Sequence, residues 1–428
     1  MEWLPDPDKF KIAVCGYTSD SEGKNLQSVW YAIDVKINPP SSAKENVKAT
    51  IKTEPLLPFS VVRMMYQSRQ HAFLDPSGVT FSNPFRNPSL LYSLGGLDPV
   101  GSDSDGDGAH PFDSERYRKV WSLNVKKPDA GWKAVKHMNF PRYNPPSVVV
   151  DYKFYVFGGF SRSQFPAEAA AKGDGWMESY HRIFDWESLP NPPSGFSFND
   201  DPLIFTTLDD EKKILLAQYN HDDMDCDSAT FYVYDVGKKD WTTLEPPVRK
   251  LLARYPDRTG RRSVAVGNKL YWGLLEDEDI NIQAYDLGED IWFHGSFNIR
   301  PVLEKDEFLS DSVFPASPPL LHLASHKFCL FFLTSIYDEK NCEVSNLYLN
   351  CLILDVSPID DKGDNHQHDY YDHVCYKVRD DVNVDDKEDN ANFNVYHHDH
   401  FWRLSISIVS IQKYPLVNPI QLWDAGVL

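Results

Sequence analysis

The sequence predicts an all-β fold built from repeated strand units, and three observations lead to this class. One short pattern, apolar–x–apolar–Asp (or Asn)–apolar, recurs six times along the 428-residue chain. Aromatic residues make up 14 % of the chain and prolines number 30, a mix that favours strands and turns over helices. Two segments, Tyr234–Trp241 and Tyr285–Trp292, match at Tyr, Asp, Gly and Trp and are typical of β-hairpins.

The repeated pattern indicates the size of the unit. Its copies lie roughly 50 to 90 residues apart, which indicates a stacked or circular array of strand units. Four antiparallel strands in about fifty to sixty residues form one propeller blade. The acidic or amide position of the pattern falls at Asp34, Asn124, Asp185, Asp235, Asp286 and Asp355.

The start of a unit is clearest in Pro146–Gly159 (PSVVVDYKFYVFGG). This segment predicts a strand, a turn at Asp151–Lys153 and a second strand that ends in two glycines. Glycine at the end of a strand lets the backbone bend or approach another segment closely. A long loop then leads to the strand that carries the repeated acidic residue.

These features resemble the kelch-repeat family. Leu90–Gly96 and Phe154–Gly159 match the family's Gly–Gly at the end of the second strand. Lys119–Trp132 matches its aromatic third strand with a later Trp, and Asn139–Val150 is similar to its Pro–Arg junction between blades. The resemblance extends from about Lys9 to Gln412, although only two of the six second strands end in Gly–Gly.

The resemblance implies a plant-type kelch protein with a galactose-oxidase-like fold. It implies a six-bladed β-propeller of four-stranded antiparallel blades, with the ring closed by a C-terminal strand. The whole chain, 1–428, would form this one domain. The predicted blades are approximately 9–61 plus 401–411, 62–139, 140–196, 197–250, 251–300 and 301–400, the last with an acidic, His-rich insertion at 358–400.

One strand near the end of the chain, Phe401–Ile411, has no evident blade of its own. The first unit shows only three strands, so placing this segment before Phe10 completes the first blade and removes two open sheet edges. We expect this arrangement. In the alternative, the segment finishes the sixth blade.

Arginine and tyrosine gather in the predicted junctions between blades. These junctions lie on the same side of a blade as the loops between second and third strands, which are long and acidic here. Arg and Tyr are enriched at binding hot spots, and long loops on a rigid scaffold usually carry function. In the alternative, these residues only pair with the acidic loops beside them. The predicted binding residues are Arg86, Arg142, Tyr143, Arg254, Tyr255, Arg258, Arg261 and Arg262.

Three acidic or His-rich segments suggest metal sites. Asp103–Gly108 (DSDGDG) has the alternating carboxylates of a Ca²⁺ loop but lacks the closing Glu. Asp360, Asp364 and His368 are similar to the iron site of the plant nitrile-specifier proteins, which are kelch propellers with Glu at the first position. His397–His400 is a tract of the kind that binds divalent metals. We expect solvated loops without a cofactor, with calcium or iron as the alternative.

The composition restricts the partners and the compartment. A net charge of −20 without a basic run opposes binding to nucleic acid. No apolar stretch is long enough to span a membrane, and the N-terminus lacks a secretory signal. The six cysteines have no regular spacing and are typical of reduced thiols. We therefore expect a monomeric propeller in the cytosol or the nucleus.

Two classes of function fit these observations. We predict a non-enzymatic scaffold or substrate receptor that binds a protein partner through the face bearing Arg and Tyr. The resemblance supports this, because plant kelch proteins are often substrate receptors of ubiquitin ligases. The alternative is a metal-assisted enzyme or specifier protein of plant specialised metabolism that uses the propeller channel. No nucleophile elbow, P-loop or dinucleotide motif appears, and nothing identifies the copper ligands of galactose oxidase.

Overall fold

The computed structural model is an all-β structure, in agreement with the predicted fold class. Its one α-helix among the described residues is α1 (Ala167–Lys172), which is short. No helix in the described part of the chain is long and apolar enough to cross a membrane. The structure describes residues 9–19, 26–37, 50–52, 54, 56–58, 60–64, 79–80, 90–94, 116–124, 127–142, 145–151, 153–160, 166–181, 185–198, 204–208, 212–219, 228–249, 261–276, 278–304, 307–309, 320–338, 343–359, 402–416 and 421–427.

The strands follow one another closely along the chain. Those of the first half are β1 (Lys9–Ser19), β2 (Leu26–Lys36), β3 (Thr50–Ile51), β4 (Ser60–Met64), β5 (Val79–Thr80), β6 (Leu90–Leu94), β7 (Val120–Asn124), β8 (Lys133–Val135), β9 (Ser147–Val150), β10 (Lys153–Phe157), β11 (Asp174–His181), β12 (Asp185–Pro190) and β13 (Ile204–Leu208). Those of the second half are β14 (Lys213–Tyr219), β15 (Ser228–Asp235), β16 (Asp240–Arg249), β17 (Arg261–Arg262), β18 (Val264–Val266), β19 (Lys269–Glu276), β20 (Asp279–Asp286), β21 (Ile291–Asn298), β22 (Glu307–Leu309), β23 (Leu320–Ala324), β24 (Lys327–Asp338), β25 (Glu343–Pro358), β26 (Trp402–Leu416) and β27 (Gln421–Val427).

Antiparallel four-stranded units are the building block, and this part of the prediction is confirmed. Sheet 1 contains β27, β1, β2 and β4, in that order. Sheets 2, 3 and 4 contain β5–β8, β9–β12 and β13–β16, and sheet 5 contains β18–β21. Sheet 6 contains β24, β25 and β26, with both β22 and β23 paired to β24. A short parallel pairing of β21 with β26 joins sheets 5 and 6 into one ten-stranded sheet.

The strand placed at the N-terminal sheet is different from the one predicted. The segment Phe401–Ile411, described from Trp402 onwards as part of β26, pairs antiparallel with β25 and so belongs to sheet 6. The strand that pairs with β1 is instead β27, which follows β26 in the chain. Strand length explains the difference, because β25 has 16 residues and β26 has 15, whereas β27 has 7. A long strand leaves the fewest unpaired backbone groups when its partner is equally long.

Strand β26 also contacts its neighbours at both ends. Its first residues pair in parallel with β21, and Gln412 and Lys413 pair in parallel with β3. The outer edge of β26 is therefore covered by sheet 5 at one end and, at the other, by the segment that connects β2 to β4 of sheet 1. An outer strand protected in this way presents fewer free backbone groups to another chain.

Apolar cores lie between the faces of successive sheets. In sheet 4, Leu216 packs towards sheet 3 and its chain neighbour Leu215 packs towards sheet 5. This alternation follows from the two-residue period of a strand, and it buries both faces of the sheet. Similar cores lie between sheets 2 and 3, between sheets 5 and 6, and between sheets 6 and 1. Sheets 1 and 2 meet at Trp30 and Trp132, whose ring centroids are 6.4 Å apart in an edge-to-face arrangement.

The edge strands of the sheets also meet in chain order. β5 contacts β9, β9 contacts β13, β13 contacts β18, β18 contacts β23, and β23 contacts β27. Each of these strands lies at one edge of its antiparallel sheet, and it is the corresponding edge in every sheet. The sheets are thus held together along one edge as well as through their faces.

The matched tryptophans occupy equivalent positions, as predicted. Trp241 lies opposite Tyr234 and Trp292 lies opposite Tyr285 in their hairpins. The ring centroids are 5.0 Å and 4.8 Å apart in the two pairs. Both rings are half-buried.

Tryptophans at the start of the outer strands also tie one sheet to the previous one. The indole N–H of Trp241 donates to the carbonyl oxygen of Pro190 in sheet 3 at 2.8 Å. The indole of Trp186 makes the equivalent bond to the carbonyl oxygen of Lys136, next to sheet 2, also at 2.8 Å. The polar atom of each ring is therefore bonded to the preceding unit, while the apolar part of the ring packs within its own sheet.

The repeated Asp closes the turn between third and fourth strands. Oδ1 of Asp286 accepts the backbone N–H groups of Gly288 at 2.9 Å and Glu289 at 3.2 Å. Asp235 accepts the backbone N–H groups two and three residues further on in the same way. The other oxygen of Asp286 pairs with Lys269, which lies directly opposite on the second strand. The repeated acidic position is therefore structural, since Asp favours this local hydrogen bonding.

We predict that Trp241→Phe lowers the free energy of unfolding by about 1 kcal/mol, because the ring packing remains and one hydrogen bond is lost. Trp241→Ala should cost roughly 2–3 kcal/mol, less than a fully buried Trp, because the ring is half-buried. Urea unfolding of the three proteins measures both values. A loss for the Ala variant no larger than that for Phe contradicts the packing described here.

We predict that Asp286→Asn is less stable than the native protein at neutral pH by about 1–2 kcal/mol, because charge-assisted bonds are lost. Burial raises the pKa of Asp286, but the bonds from Lys269 and the two backbone N–H groups outweigh it and leave the pKa below its ordinary value. The stabilisation is therefore present above the pKa of the unfolded chain and is lost as the pH falls through the lower folded value. Urea midpoints of the two proteins should converge below about pH 4, whereas those of the exposed Asp129→Asn control should stay near the native values throughout.

Candidate functional site

The candidate site is the end of the sheets where fourth strands lead into the next unit. We call it the junction face and define it by the segments 138–142, 191–198 and 299–304. Each of these segments connects an outer strand to the first strand of the following sheet. The loops between second and third strands end at the same side, as shown by the contacts of Gly158 and Glu278 with these segments.

A buried arginine holds the first of these segments. The side chain of Arg142 is 0 % exposed and its guanidinium pairs with the equally buried carboxylate of Glu178 on β11, at 2.9 Å. Both Nη atoms also donate to backbone carbonyls: Nη1 to Gly158 at 2.7 Å and Trp176 at 2.8 Å, and Nη2 to Gly175 at 2.7 Å. Arg142 thus joins the end of the second strand of sheet 3 to the start of the third.

Glu178 satisfies the backbone on the other side of this pair. Its carboxylate accepts the backbone N–H groups of Asn139 at 2.7 Å and Phe140 at 3.1 Å. Burial lowers the pKa of Arg142, while the charge and hydrogen bonds of Glu178 act in the opposite direction. A buried pair with this many bonds fixes the position of the chain, and removing one partner leaves an uncompensated charge.

Glycines make this arrangement possible. Gly158 and Gly159, the pair predicted to end the second strand, have positive φ values of 61° and 75°. Gly175 has φ of +94°, and a Cβ atom there would lie 2.5 Å from the ring of Phe140. A side chain at Gly175 would therefore displace the segment that carries Arg142.

The second segment is held by an amide. Gln218, near the end of β14, is buried; its side-chain N–H donates to the carbonyl oxygen of Ser197 at 2.7 Å and its Oε1 accepts the N–H of the same residue at 2.8 Å. Phe196 packs edge-on against Trp176 with ring centroids 4.6 Å apart. The junction between sheets 3 and 4 is therefore fixed both to the sheet before it and to the sheet after it.

The third segment is held by Arg300 and a second buried ion pair. Arg300 donates to the carbonyl oxygen of Glu307 at 2.6 Å and contacts the carboxylate of Glu278 at 3.3 Å. The carboxylate of Glu307 is fully buried and pairs with Lys413 of β26, which is 1 % exposed. The same carboxylate accepts a hydrogen bond from Thr334. The outer strand of sheet 6 is thereby linked to the segment that arrives from sheet 5.

The structure places the predicted binding residues in different settings. Arg142 is a correction: its guanidinium lies inside the protein and is fully used by Glu178 and three carbonyls, so it is not a surface contact. Arg261 and Arg262 form the short strand β17, which pairs in parallel with β13 at the edge of sheet 4. The remaining predicted binding residues lie outside the described part of the chain: Arg86, Tyr143, Arg254, Tyr255 and Arg258.

The predicted metal segments also lie outside the described residues. This holds for Asp103–Gly108, for Asp360, Asp364 and His368, and for His397–His400. Within the described ranges, no group of three or more His, Cys, Asp or Glu side chains is placed to hold a metal ion.

The sequence reasoning missed Glu178, Gln218 and Arg300. A signal was present for each. Glu178 and Gln218 are polar residues inside otherwise apolar strands, GWMESY and KILLAQY, and such residues are mostly exposed unless a buried partner holds them. Arg300 stands next to a proline in a junction, as Arg142 does, in the segments NIRPV and FPRYN.

Comparisons with known proteins add little to this picture. No family model matches the chain, and no curated protein matches it. Among solved structures, the chain is similar to hydrazine synthase of Kuenenia stuttgartiensis, with 12 % identity over 68 % of this chain and 66 % of the other, and a TM-score of 0.34. TolB of Acinetobacter baumannii gives 9 % identity over 66 % and 62 %, with a TM-score of 0.31. A prolyl endopeptidase gives 11 % identity over 81 % and 47 %, with a TM-score of 0.30. The chain spans less than two thirds of the length of these structures, and the scores are too low to assign it a fold or an activity.

We predict that Arg142→Met lowers the free energy of unfolding by roughly 3–5 kcal/mol, because Glu178 stays buried without its partner. Arg142→Met combined with Glu178→Met should regain a large part of this loss, since no buried charge then remains. Lys136→Met, which breaks the exposed pair with Asp185, should cost less than about 1 kcal/mol and is the control. Guanidinium unfolding compares the four proteins, and equal losses for the Arg142 and Lys136 variants would show that the buried pair has no special weight.

Proposed function

We propose that the six sheets are the blades of one kelch-like β-propeller, and that this propeller is a non-catalytic scaffold or substrate receptor. Its partner is a protein segment that binds at the junction face. The compartment that suits its free thiols and acidic charge is the cytosol or the nucleus. The observation that carries the proposal is the set of buried side chains that fix three of the junctions: Arg142 with Glu178, Gln218 with Ser197, and Lys413 with Glu307.

The ring arrangement is supported by the order of the contacts. Edge strands touch from sheet 2 through sheets 3, 4, 5 and 6 to sheet 1. Face-to-face cores follow the same order, and Trp30 and Trp132 bring sheet 1 against sheet 2. A series of units in which the last contacts the first is what a closed propeller requires.

The scaffold role is supported by the position of the buried ion pairs. Buried charges are costly to desolvate, and in this propeller the buried pairs serve to define the positions of the junctions. Here two buried ion pairs lie under the junction face, whereas the ion pair Lys239–Glu187, made by the turn between the third and fourth strands of sheet 4, is exposed. The loops on the junction face are therefore mounted on a fixed base, which is the usual design of a binding surface.

The chemistry of the partner follows from the residues in the junctions. With Arg142 removed from the binding set, the sequence still places Arg254, Tyr255 and Arg258 in one junction and Arg261 and Arg262 just after it. Guanidinium groups bind carboxylates in a bidentate manner. An acidic or polar segment of another protein fits these groups, and binding depends on individual arginines because the net charge of −20 is repulsive to such a segment.

The test is quantitative capture of partners by the full-length chain and two matched variants. Arg254→Ala with Arg258→Ala removes two positive charges from the junction after β16. Lys238→Ala with Lys239→Ala removes two positive charges from the turn before β16, at the other end of the same sheet. We expect the arginine variant to lose a specific partner by roughly tenfold or more, which is the loss of a single hot spot, and the lysine variant to keep it.

Purified partner and chain should then bind in a titration that the arginine variant weakens while its unfolding midpoint stays unchanged. Equal capture by the native chain and the arginine variant would place the binding surface elsewhere. Loss of the partner in both variants would mean that charge, rather than the junction face, determines binding.

A further inference from the structure

Two cysteines lie against each other in sheet 6. The Sγ atoms of Cys329 on β24 and Cys351 on β25 are 3.2 Å apart, and both side chains are fully buried. The strands pair so that Cys329 is opposite Ile353 and Cys351 is opposite Phe331. The two cysteines are thus diagonal neighbours on one face of an antiparallel pair, where side chains are within reach of each other.

The face that carries them packs on the first sheet. Cys329 and Cys351 belong to the core formed with Val14 of β1 and with Tyr31 and Ile33 of β2. Burial raises the pKa of the Cys329 thiol, and its hydrogen bond with Cys351 adds to this. While the two sheets are in contact, the thiols are protonated and shielded from reagents in solution, so they are inert.

We infer that Cys329 and Cys351 form a reversible oxidation site, in which an intrachain disulfide arises by exchange with a small disulfide such as glutathione disulfide. One cysteine thiolate attacks the small disulfide and releases one thiol, which leaves a mixed disulfide on the chain. The second cysteine then attacks the mixed disulfide and releases the second thiol. Two protein thiols lose two electrons and two protons, and the small disulfide is reduced to two thiols.

The two sulfur atoms are already near bonding distance. A disulfide has an S–S distance of about 2.05 Å, so the sulfur atoms must approach by roughly one ångström. The bond links β24 to β25 across an antiparallel hairpin that is already paired from Cys329 to Asp338. The oxidised protein therefore has its last second and third strands joined covalently, and the reduced protein does not.

Access to the site requires sheets 1 and 6 to separate. The pair is covered by β1 and β2, which come from the opposite end of the chain and are completed by β27. Oxidation consequently proceeds at the rate at which this contact opens. In a reducing compartment the resting state is the dithiol, and an oxidising shift is recorded only in molecules whose first and last sheets have parted.

The experiment uses the full-length chain with Cys342→Ala, because Cys342 lies between the pair in sequence and confuses peptide mapping. This protein is incubated with glutathione disulfide below its unfolding temperature, alkylated and digested. We expect a peptide in which Cys329 is linked to Cys351, a melting temperature raised by roughly 3–6 °C, and return to the starting value with a reducing thiol. Cys329→Ala and Cys351→Ala in the same background should form no link and show no increase.

The requirement that sheets 1 and 6 separate before oxidation is tested with two core variants. Ile33→Ala weakens the core between sheets 1 and 6, and Leu216→Ala weakens the core between sheets 3 and 4 to a similar degree. Linking should become roughly tenfold faster in the first and stay unchanged in the second, because only the first lowers the cost of opening this contact. If no linked peptide forms after prolonged oxidation, Cys329 and Cys351 are not an oxidation site. If both variants accelerate linking equally, separation of sheets 1 and 6 does not control access to the cysteines.

Discussion

Face-to-face burial of successive four-stranded sheets is the constraint on which the rest of the molecule depends. A sheet with apolar residues on both faces, such as sheet 4 with Leu215 and Leu216, is stable only when another sheet covers each face. Each sheet therefore needs two neighbours, and the first and last sheets need each other. The core of β1, β2, β24 and β25 is the result of that need, since it joins residues more than three hundred positions apart.

The same packing explains where the polar residues lie. Sheet faces are filled by apolar side chains, so charged groups collect at the two ends of the strands. At one end the repeated Asp closes turns and pairs with exposed or half-buried lysines. At the other end Arg142, Glu178, Lys413 and Glu307 are covered by the junctions that they fix. At one end of the sheets the turns are closed in a similar way by the repeated Asp. At the other end each junction is held by a different set of buried side chains.

Much of the fold could be predicted from the sequence, because the informative residues act locally. The two hairpins with Trp241 and Trp292 and the Gly–Gly after β10 depend on backbone conformation within a few residues, and both predictions hold. The placement of Phe401–Ile411 failed, since pairing over hundreds of residues is decided by strand length and by the presence of β27, which no local pattern indicates. The role of Arg142 failed for a similar reason. An Arg in a junction has the same appearance in sequence whether its partner is solvent or a glutamate on a strand 36 residues later.

The pairing of β27 with β1 has a consequence for synthesis on the ribosome. The ribosome makes β1 long before β27, so the first sheet stays one strand short until β27 has been synthesised. At about 5–20 residues per second this interval is roughly 20–80 s. During that time β1 presents an unpaired edge and β2 an uncovered apolar face, which are the features that lead to association between chains. The middle sheets, whose strands are all consecutive, are free to form early, and the nascent protein is most exposed to mispairing at the end that emerged first.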